Sequence, residues 1–219
     1  MVHQQVANFT EVLAELRLLP VIVLPKADGA RALGEALVDG GLPIAEVTFR
    51  TDAAEDAIRT MSSVDGLLVG AGTVTTPEQV DRASAAGARF VVSPGLSGAV
   101  VHRCAELDLP VTPGVATATD ITAALDLGLD VVKFFPAEAM GGLATIRALA
   151  APFPSVRFVP TGGITAESAP CYLAHPSVLA VGGSWMVPAA LIAAGDWPAI
   201  RALAQRALAA TVGAAGSER

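Results

Sequence analysis

Only two lysines occur among the 219 residues, against twelve arginines. One of them, Lys133, lies inside the apolar run Val131-Val132-Lys133-Phe134-Phe135. Alternate side chains of a strand share a face, so Lys133 stands with Val131 and Phe135 while Val132 and Phe134 point the other way. An ammonium among such neighbours is costly unless paired, and burial favours the neutral amine. That form is the one that attacks a carbonyl carbon. The other lysine, Lys26, sits in the turn-like Leu24-Pro25-Lys26-Ala27-Asp28-Gly29. It reads as solvated, although its place after a strand also allows contact with a substrate.

A second constellation lies in Ile44-Ala45-Glu46-Val47-Thr48-Phe49-Arg50. Here the even positions share a face, and Ala45, Val47 and Phe49 form the apolar opposite one. A carboxylate facing the lysine can move protons during addition to a carbonyl. Arg50 offers a planar fork that matches a substrate carboxylate, and Thr73, after Gly70-Ala71-Gly72, can add a hydroxyl. Two blander readings stand beside these: an internal Glu46–Arg50 ion pair, and Thr73 as an ordinary turn residue. Two glycine pairs, in Pro160-Thr161-Gly162-Gly163-Ile164 and Gly182-Gly183-Ser184-Trp185, let backbone N–H groups approach an anion. Ser184 supplies a further donor there.

The elements that must position these groups recur regularly. Short apolar runs at 21–24, 44–49, 67–70, 90–93, 111–113, 131–135, 156–160 and 178–182 alternate with helical patterns. The clearest of these are at 30–38, 53–61, 77–86 and 121–127; Pro170 weakens the one at 166–173. An opening segment, 7–19, and a closing one, 200–210, also read as helices. About eight strands alternating with helices predict a single α/β domain over residues 1–212. The fold expected is a (β/α)8 TIM barrel with an extra N-terminal helix, followed by a flexible tail, 213–219. A doubly wound open sheet is the alternative. In a barrel the C-terminal strand ends carry the chemistry, and those ends hold Glu46, Arg50, Thr73, Pro94, Lys133 and both glycine pairs.

Composition narrows the class. Charged residues are 16% and the net charge is −7, with no basic stripe, so nucleic acid is not the expected partner. No apolar run approaches the roughly 20 residues of a spanning helix, and Met1–Thr10 lacks a basic segment leading into an apolar one. A soluble cytoplasmic protein is expected. Cys104 and Cys171 are too far apart for a Cys-x-x-Cys motif and read as buried thiols. His3, His102 and His175 are scattered away from strand ends, so neither a metal site nor another cofactor is expected.

Taken together, Glu46-Val47-Thr48-Phe49-Arg50, Gly70-Ala71-Gly72-Thr73-Val74, Ser93-Pro94-Gly95, Val132-Lys133-Phe134-Phe135-Pro136-Ala137-Glu138, Phe158 to Ile164 and Gly182-Gly183-Ser184-Trp185 resemble the bacterial 2-keto-3-deoxy-6-phosphogluconate (KDPG) and 4-hydroxy-2-oxoglutarate (KHG) aldolases. The segments span nearly the whole chain in family order. The resemblance implies a metal-independent class I aldolase, a homotrimeric lyase of the Entner–Doudoroff route. It would yield pyruvate with glyceraldehyde 3-phosphate, or with glyoxylate from the smaller substrate. On this resemblance Lys133 would be the Schiff-base lysine and Glu46 the general acid/base. Arg50 and Thr73 would bind the pyruvate carboxylate, and Pro94 and Phe135 would shape the pocket. Gly162, Gly163, Gly183 and Ser184 would hold phosphate, and Thr161 would touch sugar hydroxyls. Met140 departs from the pattern, which has a polar residue there in many relatives.

Two rivals remain at this level. One is a phosphosugar epimerase or decarboxylase using an Asp–Lys pair; Asp130 lies three residues before Lys133, on the opposite strand face. The other is a non-catalytic phosphosugar-binding barrel in which Lys133 is only a counter-ion.

Overall fold

Helix and strand alternate along the chain. The computed structural model describes the backbone of residues 2–215 and the side chains of residues 9–211. In order the elements are α1 (Val2–Leu16), β1 (Leu18–Ile22), α2 (Ala30–Asp39), β2 (Ile44–Thr48), α3 (Ala54–Met61), β3 (Leu68–Gly72), α4 (Pro77–Ala85), β4 (Val91–Val92), α5 (Gly98–Glu106), β5 (Val111–Thr112) and β6 (Gly114–Val115). There follow α6 (Ala118–Asp126), β7 (Val131–Phe134), a 3-10 turn at Glu138–Met140, α7 (Gly142–Ala150), β8 (Arg157–Pro160), α8 (Ala169–Leu173), β9 (Val181–Gly183), α9 (Ala189–Ala194) and α10 (Trp197–Ala215).

Helix starts are written locally. Thr76 accepts the N–H of Gln79 ahead of Pro77 at the first turn of α4. Thr117 and Asp120 form a reciprocal capping box at α6. The tail expected at 213–219 overlaps α10, which runs to Ala215 through an Ala-rich stretch of high helix propensity. Residues 216–219 lie outside the described residues.

Every strand pair is parallel. The strands form a curled six-stranded sheet, β5-β4-β3-β2-β1-β9, and a three-stranded sheet, β6-β7-β8. Two single bridges, Phe158 with Val178 and Thr161 with Gly182, join β8 to the β9 side. The fifth apolar run, expected as one strand, is instead split at Pro113, which has no N–H to donate to a ladder. Its carbonyl still accepts from Lys133 N at 2.8 Å. The first strand begins at Leu18 rather than Val21. Arg17, at φ 58, ends α1 abruptly, and its guanidinium donates to the carbonyls of Leu173 (2.7 Å) and Val178 (3.1 Å).

The outer sheet face, with Ala45, Val47, Ala71, Val132 and Phe134, is fully buried against the helices. Inside the curl, Phe90 packs over Gly70, whose missing Cβ leaves room for the ring. Phe9 of α1 stacks on Phe90 at 4.3 Å between ring centroids. This aromatic pair fills the N-terminal end of the interior, so the polar groups lie toward the C-terminal strand ends.

Candidate active site

Register brings the inward residues to one place. Lys133 pairs with Gly114 of β6 and Val159 of β8. Glu46 pairs with Val21 of β1 and Gly70 of β3. From these opposite strands the side chains meet: Lys133 Nζ donates to Glu46 Oε1 at 3.2 Å. Lys133 is 4% exposed and Glu46 0%. The lysine is therefore not an isolated amine in an apolar interior, because a buried carboxyl group stands within hydrogen-bond reach of it. Among the described residues, Glu46 Oε2 is buried without a hydrogen-bond partner, which leaves an oxygen lone pair unengaged beside the amine. The Lys133 ammonium position lies 5.2 Å from the centroid of the Phe135 ring, which suits a cation. The bond between Phe135 and Pro136 is cis.

The internal Glu46–Arg50 pair is not formed. Arg50 is exposed at the end of β2 and donates through Nε to Thr73 Oγ1 at 3.3 Å. Thr73 is no ordinary turn residue: its φ is 59, a left-handed conformation that a β-branched residue adopts only under strain. Two donors, a guanidinium and a hydroxyl, thus stand together at the strand ends above Lys133 and Glu46. Pro94 follows β4 half-buried, and its carbonyl lies against Gly114, leaving no space for a Cβ there. Thr161 is buried beside Gly182. Gly162 and Gly163 adopt φ 103 and 81, open to glycine alone in practice. Among the described residues no hydrogen bond takes their N–H groups. Ser184 is exposed where β9 ends, whereas Gly183 is buried and the Trp185 ring fills its Cβ position.

Other candidates fall away. Asp130 is exposed ahead of β7, so it cannot form an Asp–Lys pair with the buried Lys133. Lys26 is exposed on the loop after β1. Cys171, expected to be buried, is exposed on α8, because Tyr172 and Leu173 take that short helix's inward positions. His102 is exposed on α5, and His175, lowered from its ordinary value by burial, follows α8; the side chain of His3 lies outside the described residues.

A family model for KDPG and KHG aldolases matches residues 9–203. The chain belongs to that family. It is 51% identical over 199 residues to the 2-dehydro-3-deoxy-phosphogluconate aldolase of Treponema pallidum, covering 90% of this chain and 95% of the relative. The KDPG aldolase of Zymomonas mobilis, solved with 3-phosphoglycerate, superposes with a TM-score of 0.88 at 46% identity, over 93% of this chain and 96% of that one. The Legionella pneumophila KDPG aldolase, solved with pyruvate as a covalent carbinolamine, gives 0.86 at 40% identity, over 90% and 96%.

Within this aldolase, two supporting features escape a reading by strand alternation. A Cβ on Gly72 would coincide with the Glu46 carboxyl group. The Gly70-Ala71-Gly72 spacing, two absent side chains on the inward face, is the sequence signal for that space. Glu138 and Tyr172 form the other feature, across 34 residues, with no local pattern to announce it.

Proposed function

We propose that this aldolase cleaves 2-keto-3-deoxy-6-phosphogluconate to pyruvate and glyceraldehyde 3-phosphate through a Schiff base on Lys133. The observation that carries the reading is the buried Lys133–Glu46 pair, facing the Arg50–Thr73 donors and flanked by the Gly162–Gly163 turn. Glu46, protonated while the lysine is the free amine, donates its proton to the keto oxygen as the amine lone pair attacks the carbon. The carboxylate so formed takes the extra proton from the nitrogen, leaving a neutral carbinolamine beside a protonated Glu46. Glu46 then protonates the carbinolamine hydroxyl, and water leaves to give the iminium. The iminium draws the electron pair of the bond between the third and fourth carbons. Glu46, again a carboxylate, takes the proton from the hydroxyl on the fourth carbon, and the aldehyde departs. Return of that proton to the third carbon and hydrolysis release pyruvate and the free lysine.

The substrate fits the two ends of the site. Arg50 and Thr73 suit the keto-acid carboxylate, and the N–H groups of Gly162 and Gly163 with the Ser184 hydroxyl suit a phosphate. Phe135 and Pro94 line the space, and Thr161 faces the sugar hydroxyls. The carbinolamine described for the Legionella relative and the phosphorylated acid described with the Zymomonas relative support both halves. The same machinery accepts 4-hydroxy-2-oxoglutarate, giving pyruvate and glyoxylate. We further read the curl of the two sheets as one closed eight-stranded barrel, with β5 and β6 as halves of its fifth strand. We take the active form to be a cytoplasmic homotrimer. No helix among the described residues is long and apolar enough to cross a membrane.

Borohydride reduction in the presence of pyruvate tests the chemistry. A pyruvyl adduct mapped to Lys133, and loss of cleavage in Lys133→Ala with its fold retained, are the expected results. No adduct, or near-normal turnover in the variant, would return Lys133 to the role of a counter-ion in a binding barrel. Sedimentation at a mass other than three chains would reject the trimer.

A further inference from the structure

The 3-10 turn after β7 makes contacts that the chemistry above does not use. Glu138 N donates to Gly162 O at 3.0 Å, next to Ala137 N donating to Thr161 O at 2.8 Å. The Glu138 stem lies so close to Gly163 that a Cβ there would come within 2.7 Å of both Cβ and Cγ of Glu138. The carboxylate is itself held. Tyr172, 3% exposed on α8, donates its hydroxyl to Glu138 Oε1 at 2.6 Å. Burial, then the Glu138 carboxylate, push this phenol above its ordinary value, so it stays a donor at neutral pH. Glu138 Oε2 lies 3.6 Å from the Cβ position of Gly142, the first residue of α7. A helix N-terminus stabilises negative charge there.

One exposed residue therefore ties three elements to one glycine turn. The Gly162–Gly163 segment has little of its own to define its position: both residues are glycine and, among the described residues, no acceptor takes their N–H groups. A misplacement of about 1 Å in such a turn is enough to cost substantial rate or affinity. We propose that Glu138, anchored by Tyr172, is a positioning residue that holds the Gly162–Gly163 turn at the spacing a phosphate requires, and so sets the preference for a phosphorylated aldehyde portion. The inference rests on the reading of that turn and Ser184 as the phosphate site.

The test compares the phosphorylated and unphosphorylated substrates on the full-length enzyme. Tyr172→Phe removes only the hydroxyl and keeps the packing, Glu138→Ala removes the stem, and Glu138→Gln keeps both stem and acceptor. Tyr172→Phe and Glu138→Ala should raise KM for KDPG and weaken competitive inhibition by inorganic phosphate roughly tenfold, the scale of one lost hydrogen bond to a charged group. Borohydride trapping of pyruvate and turnover of 4-hydroxy-2-oxoglutarate should stay within about twofold, and Glu138→Gln should restore most of the loss. Parallel losses on both substrates would mean a general structural role, and unchanged phosphate binding would mean no role; either overturns the proposal. Ser184→Ala separates the levels. If it weakens phosphate while the Glu138 and Tyr172 variants do not, this inference alone fails; if it too leaves phosphate binding unchanged, the phosphate site itself fails and the inference with it.

Discussion

Gly72 lacks a side chain where the carboxyl group of Glu46 sits; a methyl group there would overlap Oε1 and Cγ of the glutamate. The two strands are paired in register, Thr48 with Gly72, so the vacancy on β3 lies diagonally beside Glu46 on β2. The glycine thus holds open the space from which Glu46 reaches Lys133.

Gly72→Ala should therefore fold and yet disable proton transfer. The methyl must push the carboxylate away from Lys133, and overpacking of this kind costs about 1–3 kcal/mol of stability. Loss of a positioned general acid/base typically costs about 10²- to 10⁴-fold in rate. A kcat within about twofold of wild type, measured alongside a cooperative thermal transition, would show that the side chain finds another route to the amine.

A different buried group governs stability in alkali. Burial pushes the Cys104 thiol up to about 12, while in the unfolded chain it ionises near 8.5. Above the unfolded value the folded state holds a proton that the unfolded chain has released, so the thiol's contribution falls with rising pH across about 8.5 to about 12. Tyr172, also raised by burial, acts in the same direction from a higher starting point. Cys104→Ala should be less stable than wild type at neutral pH through the space it leaves, but its urea midpoint should decline less steeply above about pH 8.5. Parallel slopes for the two proteins would refute this account.

Period-two alternation made the chemistry legible because it assigns faces without needing the fold. Lys133 and Glu46 each point inward by that rule, and their meeting follows once the sheet curls. Relationships that depend on shape rather than period stayed hidden. The left-handed Arg17 moves the first strand three residues earlier, through carbonyls of Leu173 and Val178 more than 150 residues away. Pro113 divides a run that its apolar neighbours present as continuous. Cys171 turns outward because α8 has only five residues and Tyr172 and Leu173 claim its inner side. Tyr172 meets Glu138 across 34 residues, a separation that no periodic pattern spans.

Thr73 offers a separation of strain from function. Its left-handed backbone costs on the order of 1–3 kcal/mol, and what it presents in return is a hydroxyl in reach of Arg50 Nε. Thr73→Gly relieves the strain and deletes the hydroxyl, whereas Thr73→Ala deletes the hydroxyl and keeps most of the strain. Both should raise the pyruvate KM by about threefold to tenfold, the scale of one hydrogen bond, and Thr73→Gly should melt higher than Thr73→Ala. Arg50→Lys keeps the charge but loses the fork, and should raise the same KM by about 10- to 100-fold with little change in melting, since Arg50 is exposed. Equal melting of the two Thr73 variants would remove the strain, and an unchanged KM in all three would detach this corner of the site from the substrate carboxylate.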